Sequence, residues 1–237
     1  MNARAHRSLM LDGPEGKLEA LFWDVERNNR NGVPAQAAFA VVVCHPHPLY
    51  RGTMQNKVVY RTAKALHGLG LPVLRFNFRG VGLSAGKYDR GRGELDDVRA
   101  ALDFLAAGFP GAPLFVAGFS FGAAVGLRAG CGDARVHALI GLGLPVGNLD
   151  VSYLSECAKP KLLMSGDQDR YAPKEKWEAI VSALPEKSRA ATQLILVPGA
   201  DHFFAGHLGA VESAISEWVR ARMEAPRSIA SGRAPLE

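Results

Sequence analysis

Two stretches of the chain place a serine between glycines: "GLSAG" (Gly82 to Gly86) and "GFSFG" (Gly118 to Gly122). Gly-x-Ser-x-Gly is the pattern of a serine on a sharp strand-to-helix turn, where its hydroxyl can attack an acyl carbon. A hydroxyl is a weak nucleophile until a base takes its proton, and the base needs an acid to orient it. Both partners follow later in the chain. Asp167 and Asp169 lie in "DQDRYAP", just after the apolar run "KLLMSG", and His202 lies in "DHFF", just after "LILVPGA". Asp167 directly follows the glycine that ends its run and is the better placed of the two acids to hold a turn. Asp169 stands further out and is the preferred orienting acid. His202 sits past the end of a strand among apolar residues, as a base at the rim of a sheet would. His207, five residues on, reads as a surface residue.

The choice between the serines rests on what surrounds them. Ser120 follows "APLFVAG", a strand, and precedes "FGAAVGLRAG", small and apolar enough for a buried helix. Gly118 and Gly122 remove side chains that would collide at such a turn. The helix then aims its first N–H groups at developing negative charge. Ser84 is followed by "AGKYDRGRGE", charged and glycine-rich, which reads as a long loop. Ser120 is therefore the candidate nucleophile. An oxyanion needs two donors: the N–H of Phe121, after the serine, and one from the loop "CHPHPLYRGTMQN". Pro46 and Pro48 have no N–H, which leaves His47 N–H between them. A metal site on His45 and His47 is the rival reading for that loop, but the rest of a ligand set is missing.

The elements that must position these groups alternate. The runs "AFAVVVCH", "LPVLRFNF", "APLFVAG", "VHALIGLG", "KPKLLMSG" and "TQLILVPG" read as strands. Between and after them lie helical patterns: "QNKVVYRTAKALHGLG", with Val58, Val59, Ala63 and Leu66 on one side, then "ELDDVRAALDFLAA", "FGAAVGLRAG", "APKEKWEAIVSAL" and "HLGAVESAISEWVRARM". This order predicts an α/β fold, a mostly parallel, doubly wound sheet with helices on both faces. At the front, "RSLMLDGPEGKLEALFWDV" reads as an antiparallel hairpin turning at Gly13-Pro14. Residues 143–159 have room for one short helix and none for a large cap. The expected organisation is one domain over residues 1–223 and a disordered tail over 224–237, with "ERNNRNGVPAQ" a polar surface loop.

The 237 residues are 48% hydrophobic and 22% charged, enough apolar material for a sizeable core, with a formal net charge of +5. The charges do not cluster, so no nucleic-acid partner is expected. The cysteines Cys44, Cys131 and Cys157 are odd in number and widely spaced, against a disulfide framework or a zinc site. No run approaches the ~20 apolar residues of a membrane span, and the N-terminus lacks a signal-peptide core. A cytoplasmic protein is expected, with a homo-oligomer left open.

Taken together, "VCHPHPLYRGTMQNKVV", "LRFNFRGVGLSAG", "GRGELDDVRAALDFL", "AGFSFGAAV", "GDQDRYAP" and "GADHFFAGHL" resemble a small, uncapped, dienelactone-hydrolase-like branch of the bacterial α/β hydrolases. The resemblance runs from about residue 7 to 222. It implies an α/β-hydrolase fold, a triad of Ser120, Asp169 and His202, an oxyanion hole on the "HPHP" loop, and a structural role for "FRGVGLS". Members with dienelactone activity carry cysteine as nucleophile, so Ser120 points to ester hydrolysis, with no metal or organic cofactor. The expected partner is a small-molecule ester, short to medium in chain length, bound beside Tyr50, Arg51, Phe119 and Phe203. One departure stands out: where the family has two glycines, Arg51 precedes Gly52. Family habit also suggests a surface ion pair between Arg79 and Asp96 or Asp97. The rival activities are an amidase or peptidase, a thioesterase, or a non-catalytic binding protein on the same fold.

Overall fold

A computed structural model of the chain describes residues 6–25 and 37–224. The loop expected over 26–36 and the tail from residue 225 lie outside the described residues. The front hairpin pairs β1 (Arg7–Gly13) with β2 (Gly16–Trp23), antiparallel, across Pro14 and Glu15. The remaining strands are β3 (Ala40–Cys44), β4 (Val73–Phe76), β5 (Leu114–Phe119), β6 (Val136–Leu142), β7 (Lys161–Gly166) and β8 (Thr192–Val197). They form one eight-stranded sheet in the order β1-β2-β4-β3-β5-β6-β7-β8. Only the β1–β2 and β2–β4 pairings are antiparallel.

Strand β3 reads "AVVVC" and is buried throughout. Ala40, Val42 and Cys44 enter the core on one face of the sheet, and Val41 and Val43 the core on the other. The period of two that separates them is that of any strand, and continuous apolarity means that both faces are covered. On the first face lie α2 (Gly93–Gly108), through Val98, Leu102 and Leu105, and α3 (Phe121–Gly132), through Ala123 and Leu127. On the second lie α1 (Lys57–Gly68) and α7 (Leu208–Glu224), which bury Val58, Val59, Ala63, Leu66, Val211, Ile215 and Trp218. Asn56 caps α1, its side chain accepting the Val58 N–H at 2.9 Å.

From β3 the chain crosses to β4 on one side and then returns to β5 on the other. At such a reversal the two loops leaving the strands diverge and open a crevice at their C-terminal ends. Those loops are residues 45–56, after β3, and the Ser120 turn, after β5. The connection from β6 holds only the four-residue α4 (Tyr153–Glu156), as the sequence predicts. Helix α5 (Lys174–Ala183) is also where it was expected. The short α6 (Glu186–Ala190) was not read from the sequence, because one turn after Pro185 is too brief to show a period.

One expectation is corrected. Arg79 does pair with Asp97, but not on the surface: Asp97 is 0% exposed and Arg79 5%. The guanidinium grips the carboxylate through Nη2, 2.8 Å from Oδ1, and through Nε, and the Arg79 N–H adds a bond to Oδ2 at 3.0 Å. Asp96 faces solvent instead and pairs with Arg99. The fork ties the segment after β4 to α2, and removing one partner strands a buried charge. Asp97→Ala is expected to lower unfolding free energy by about 3–5 kcal/mol, and Asp96→Ala by less than ~1 kcal/mol, in urea titrations.

Candidate active site

Ser120 joins β5 to α3 at φ 56° and ψ −121°. Positive φ is uncommon for a residue with a Cβ and costs energy unless its surroundings enforce it. Here they do. A Cβ on Gly118 would lie 2.3 Å from the Gly122 carbonyl oxygen, and one on Gly122 would lie 2.3 Å from that of His45. The chain can close this tightly only with glycine at both places. The Ser120 N–H donates to Leu142 O at 2.8 Å, and Ser120 O accepts from Ala123 and Ala124 as α3 begins.

His202, beyond β8, brings Nε2 to 3.0 Å from Ser120 Oγ. Its Nδ1 lies 2.8 Å from Asp169 Oδ2. Asp169, beyond β7, is buried; its Oδ1 accepts the Tyr171 N–H at 2.8 Å, and the Ser165 hydroxyl donates to Oδ2. With the carboxylate ionised, the imidazole proton sits on Nδ1 and the Nε2 lone pair faces the serine. Phe119, Tyr171 and Phe203 wall the imidazole, with ring centroids at 5.2, 4.7 and 5.2 Å. Asp167 instead accepts the Gly199 N–H at 2.7 Å and pins the turn after β8. Ser165 was missed in the sequence; a hydroxyl at the end of the buried apolar run "LLM" was its signal.

The loop after β3 folds over the start of α3. His45 is fully buried: Nε2 accepts the Phe78 N–H at 3.0 Å, which leaves the ring proton on Nδ1 to donate to Pro46 O. Both nitrogens are thus committed, and burial pushes the His45 pKa down to about 4 despite that second bond. The metal reading for His45 and His47 finds no support in this geometry. Among the described residues no group of three or more His, Cys, Asp or Glu side chains is arranged to hold a metal ion. His47 stands half-buried at the head of a 3-10 turn, Pro48–Tyr50. Neither its N–H nor that of Phe121 donates to an acceptor among the described residues. Arg51 closes the turn at φ 60°, a left-handed position that suits glycine. It is exposed, as is Tyr50, whose ring lies 4.7 Å from His47.

The residues expected to line the substrate site separate into two groups. Tyr50 is 82% exposed and Phe203 58%, so both present a face to solvent, Tyr50 beside the His47 ring and Phe203 beside that of His202. Phe119 is 1% exposed. It lies under the His202 ring as part of the core, because the pleat of β5 turns it inward, and its expected place in the substrate pocket is corrected. Ser84 is also accounted for. Its hydroxyl donates to Asn77 O at 2.7 Å and accepts the Glu19 N–H at 3.0 Å, which fastens the segment after β4 to β2.

Residues 37–147 match a family model described as serine aminopeptidase, S33. An uncharacterised protein of Rickettsia prowazekii is 35% identical over 216 residues, spanning 89% of this chain and 87% of the relative. A crystal structure from Xanthomonas campestris, described as an a/b serine hydrolase without lid, superposes with a TM-score of 0.80 at 35% identity, covering 93% of this chain and 96% of that one. The chain belongs to the lidless α/β serine hydrolases. A second structure, of an alpha-beta serine hydrolase homologue from Coxiella burnetii, superposes with a TM-score of 0.79 at 36% identity over 89% of this chain and 96% of that one. For a lidless hydrolase the short β6–β7 connection follows naturally, since nothing inserted there covers Ser120. No helix among the described residues is long and apolar enough to cross a membrane.

Two outcomes are expected. Ser84→Ala leaves the Glu19 N–H and the Asn77 carbonyl without their partner and lowers stability by ~1–3 kcal/mol, while fluorophosphonate labelling of the protein persists. His45 takes up a proton more readily unfolded than folded, so its contribution to stability is whole above the unfolded pKa, near 6.5, and is lost as pH falls toward the folded value. Between neutral pH and about pH 5 this one group removes about 2 kcal/mol, and urea titrations of His45→Gln are expected to show a correspondingly shallower loss.

Proposed function

We propose that the protein hydrolyses short- to medium-chain carboxylic esters through an acyl-enzyme formed on Ser120. The observation that carries the reading is His202, hydrogen-bonded at once to Ser120 Oγ at 3.0 Å and to Asp169 at 2.8 Å. Ser120 Oγ attacks the ester carbonyl as its proton passes to His202 Nε2. Asp169 keeps the Nδ1 proton in place and stabilises the imidazolium. The tetrahedral oxyanion is received by the N–H groups of Phe121 and His47, backbone donors that need no reorganisation because Gly122 and the two prolines fix the chain that bears them. His202 then protonates the departing alcohol. Water, deprotonated by the same imidazole, attacks the acyl-enzyme and releases the acid. No step calls for a metal or an organic cofactor.

The open rim supports small substrates. Tyr50 and Phe203 offer apolar surface to an acyl or alkyl group, and Arg51 is a cation beside them. An aminopeptidase must also hold the substrate's α-ammonium, usually on a carboxylate. Of the acids in the two segments that bear the site, Asp169 is buried and spent on His202 and Tyr171, while Asp167 and Asp201 face solvent and hold turns through the N–H groups of Gly199, and of Phe203 and Ala205. That favours the ester reading over the peptidase one.

The test is to treat the purified protein with a fluorophosphonate and to assay p-nitrophenyl esters of increasing chain length beside an aminoacyl anilide and an acyl thioester. The expected result is labelling at Ser120 by mass spectrometry, fastest turnover on the shorter esters, and a loss of at least about a thousandfold in kcat for Ser120→Ala. Turnover confined to the anilide or the thioester overturns the substrate assignment. An unlabelled Ser120 with no turnover of any kind makes the protein a binding module.

A further inference from the structure

Tyr88 lies in the segment between β4 and α2, and nothing in its sequence context marks it. Its neighbours are clamped. The buried Glu94 carboxylate accepts the N–H groups of Asp89 and Gly91, each at 2.8 Å, and Asp89 accepts the Gly93 N–H at 3.0 Å. From this fixed support the Tyr88 hydroxyl oxygen reaches to 3.1 Å from His47 Nε2.

The other His47 nitrogen decides the sense of that bond. Nδ1 accepts the Leu49 N–H at 3.2 Å, so it carries no hydrogen. Burial lowers the His47 pKa, which keeps the ring neutral. A neutral ring with a bare Nδ1 has its hydrogen on Nε2 and donates it to Tyr88. In the opposite tautomer two N–H groups, of Nδ1 and of Leu49, would face each other. The same residue's carbonyl accepts from Tyr50 and Gly52, and its ring packs on Phe121 at 4.9 Å and Tyr88 at 5.0 Å. The direction of the His47 N–H therefore depends on a turn whose cap is its own side chain.

We propose that Tyr88 is a positioning residue for the oxyanion hole: by accepting the Nε2 hydrogen it anchors the His47 ring over the turn that Nδ1 caps at Leu49, and so holds the His47 N–H toward Ser120. The proposal rests on the reading of His47 N–H as an oxyanion donor. Asparagine supplies the discriminating variant. Its Oδ1 stands in for Nδ1 and accepts the N–H two residues on, in an Asx turn, with no tautomer to choose.

The experiment compares wild type, Tyr88→Phe, His47→Asn and the double variant with p-nitrophenyl acetate, and records the 15N shifts of the His47 ring. The expected result is that Tyr88→Phe lowers kcat about tenfold with KM within about twofold, the pattern of an interaction made in the transition state. The ring shifts report an Nε2-protonated form in both proteins, with the Nε2 resonance displaced in Tyr88→Phe as that N–H loses its acceptor. In the His47→Asn background the Tyr88→Phe change has no further effect on kcat. An unchanged kcat in Tyr88→Phe, an equal loss in both backgrounds, or ring shifts that do not move overturns the proposal. Failure of the underlying reading looks different. Wild type then turns over no ester, which overturns the catalytic half of the proposal, while the ring shifts still decide whether Tyr88 anchors the ring.

Discussion

Ser120 is held at φ 56° in a conformation that costs roughly 1–3 kcal/mol for a residue with a side chain. Everything that the site can do follows from the chain being forced through that point. The force comes from packing: β5 is hydrogen-bonded between β3 and β6, α3 is pressed on the sheet by Ala123 and Leu127, and the link between strand and helix is one residue long. Gly118 and Gly122 let the backbone pass within contact distance of itself and of the loop after β3. The same closeness brings the start of α3 against the "HPHP" loop, with the Phe121 and His47 rings 4.9 Å apart. One constraint thus sets the Ser120 turn and the loop after β3 together.

The two Gly-x-Ser-x-Gly segments show how little a short pattern says without its surroundings. Around Ser120 the flanking glycines answer backbone contacts, and the hydroxyl meets an imidazole. Around Ser84 the hydroxyl is spent on two backbone groups, in a segment that the Arg79–Asp97 fork and the Glu94 carboxylate hold rigid. That second segment is nonetheless near the chemistry, because it carries Tyr88.

Much of this was legible in the sequence. The strands and long helices announced themselves by period, and Ser120, Asp169 and His202 by their places just past strand ends. Asp167 and Asp169 were told apart by two residues of reach from the end of β7. What stayed hidden depends on distances through space. That the pair of Arg79 and Asp97 is buried, that Phe119 points into the core, that Ser165 backs Asp169 and that Tyr88 meets His47 all need the sheet to be assembled, since the partners are 4 to 83 residues apart in the chain. The one-turn α6 was too short for any period to register.

The sheet order has a further bearing on how the site would come apart. Ser120, Phe121 and His47 hang from β3 and β5, in the middle, whereas His202 follows β8, at one margin of the sheet, and Asp169 follows β7 beside it. Sheet margins fray at lower free energy than centres do. Thermal loosening would therefore draw His202 away from Ser120 first and leave the strained turn itself intact.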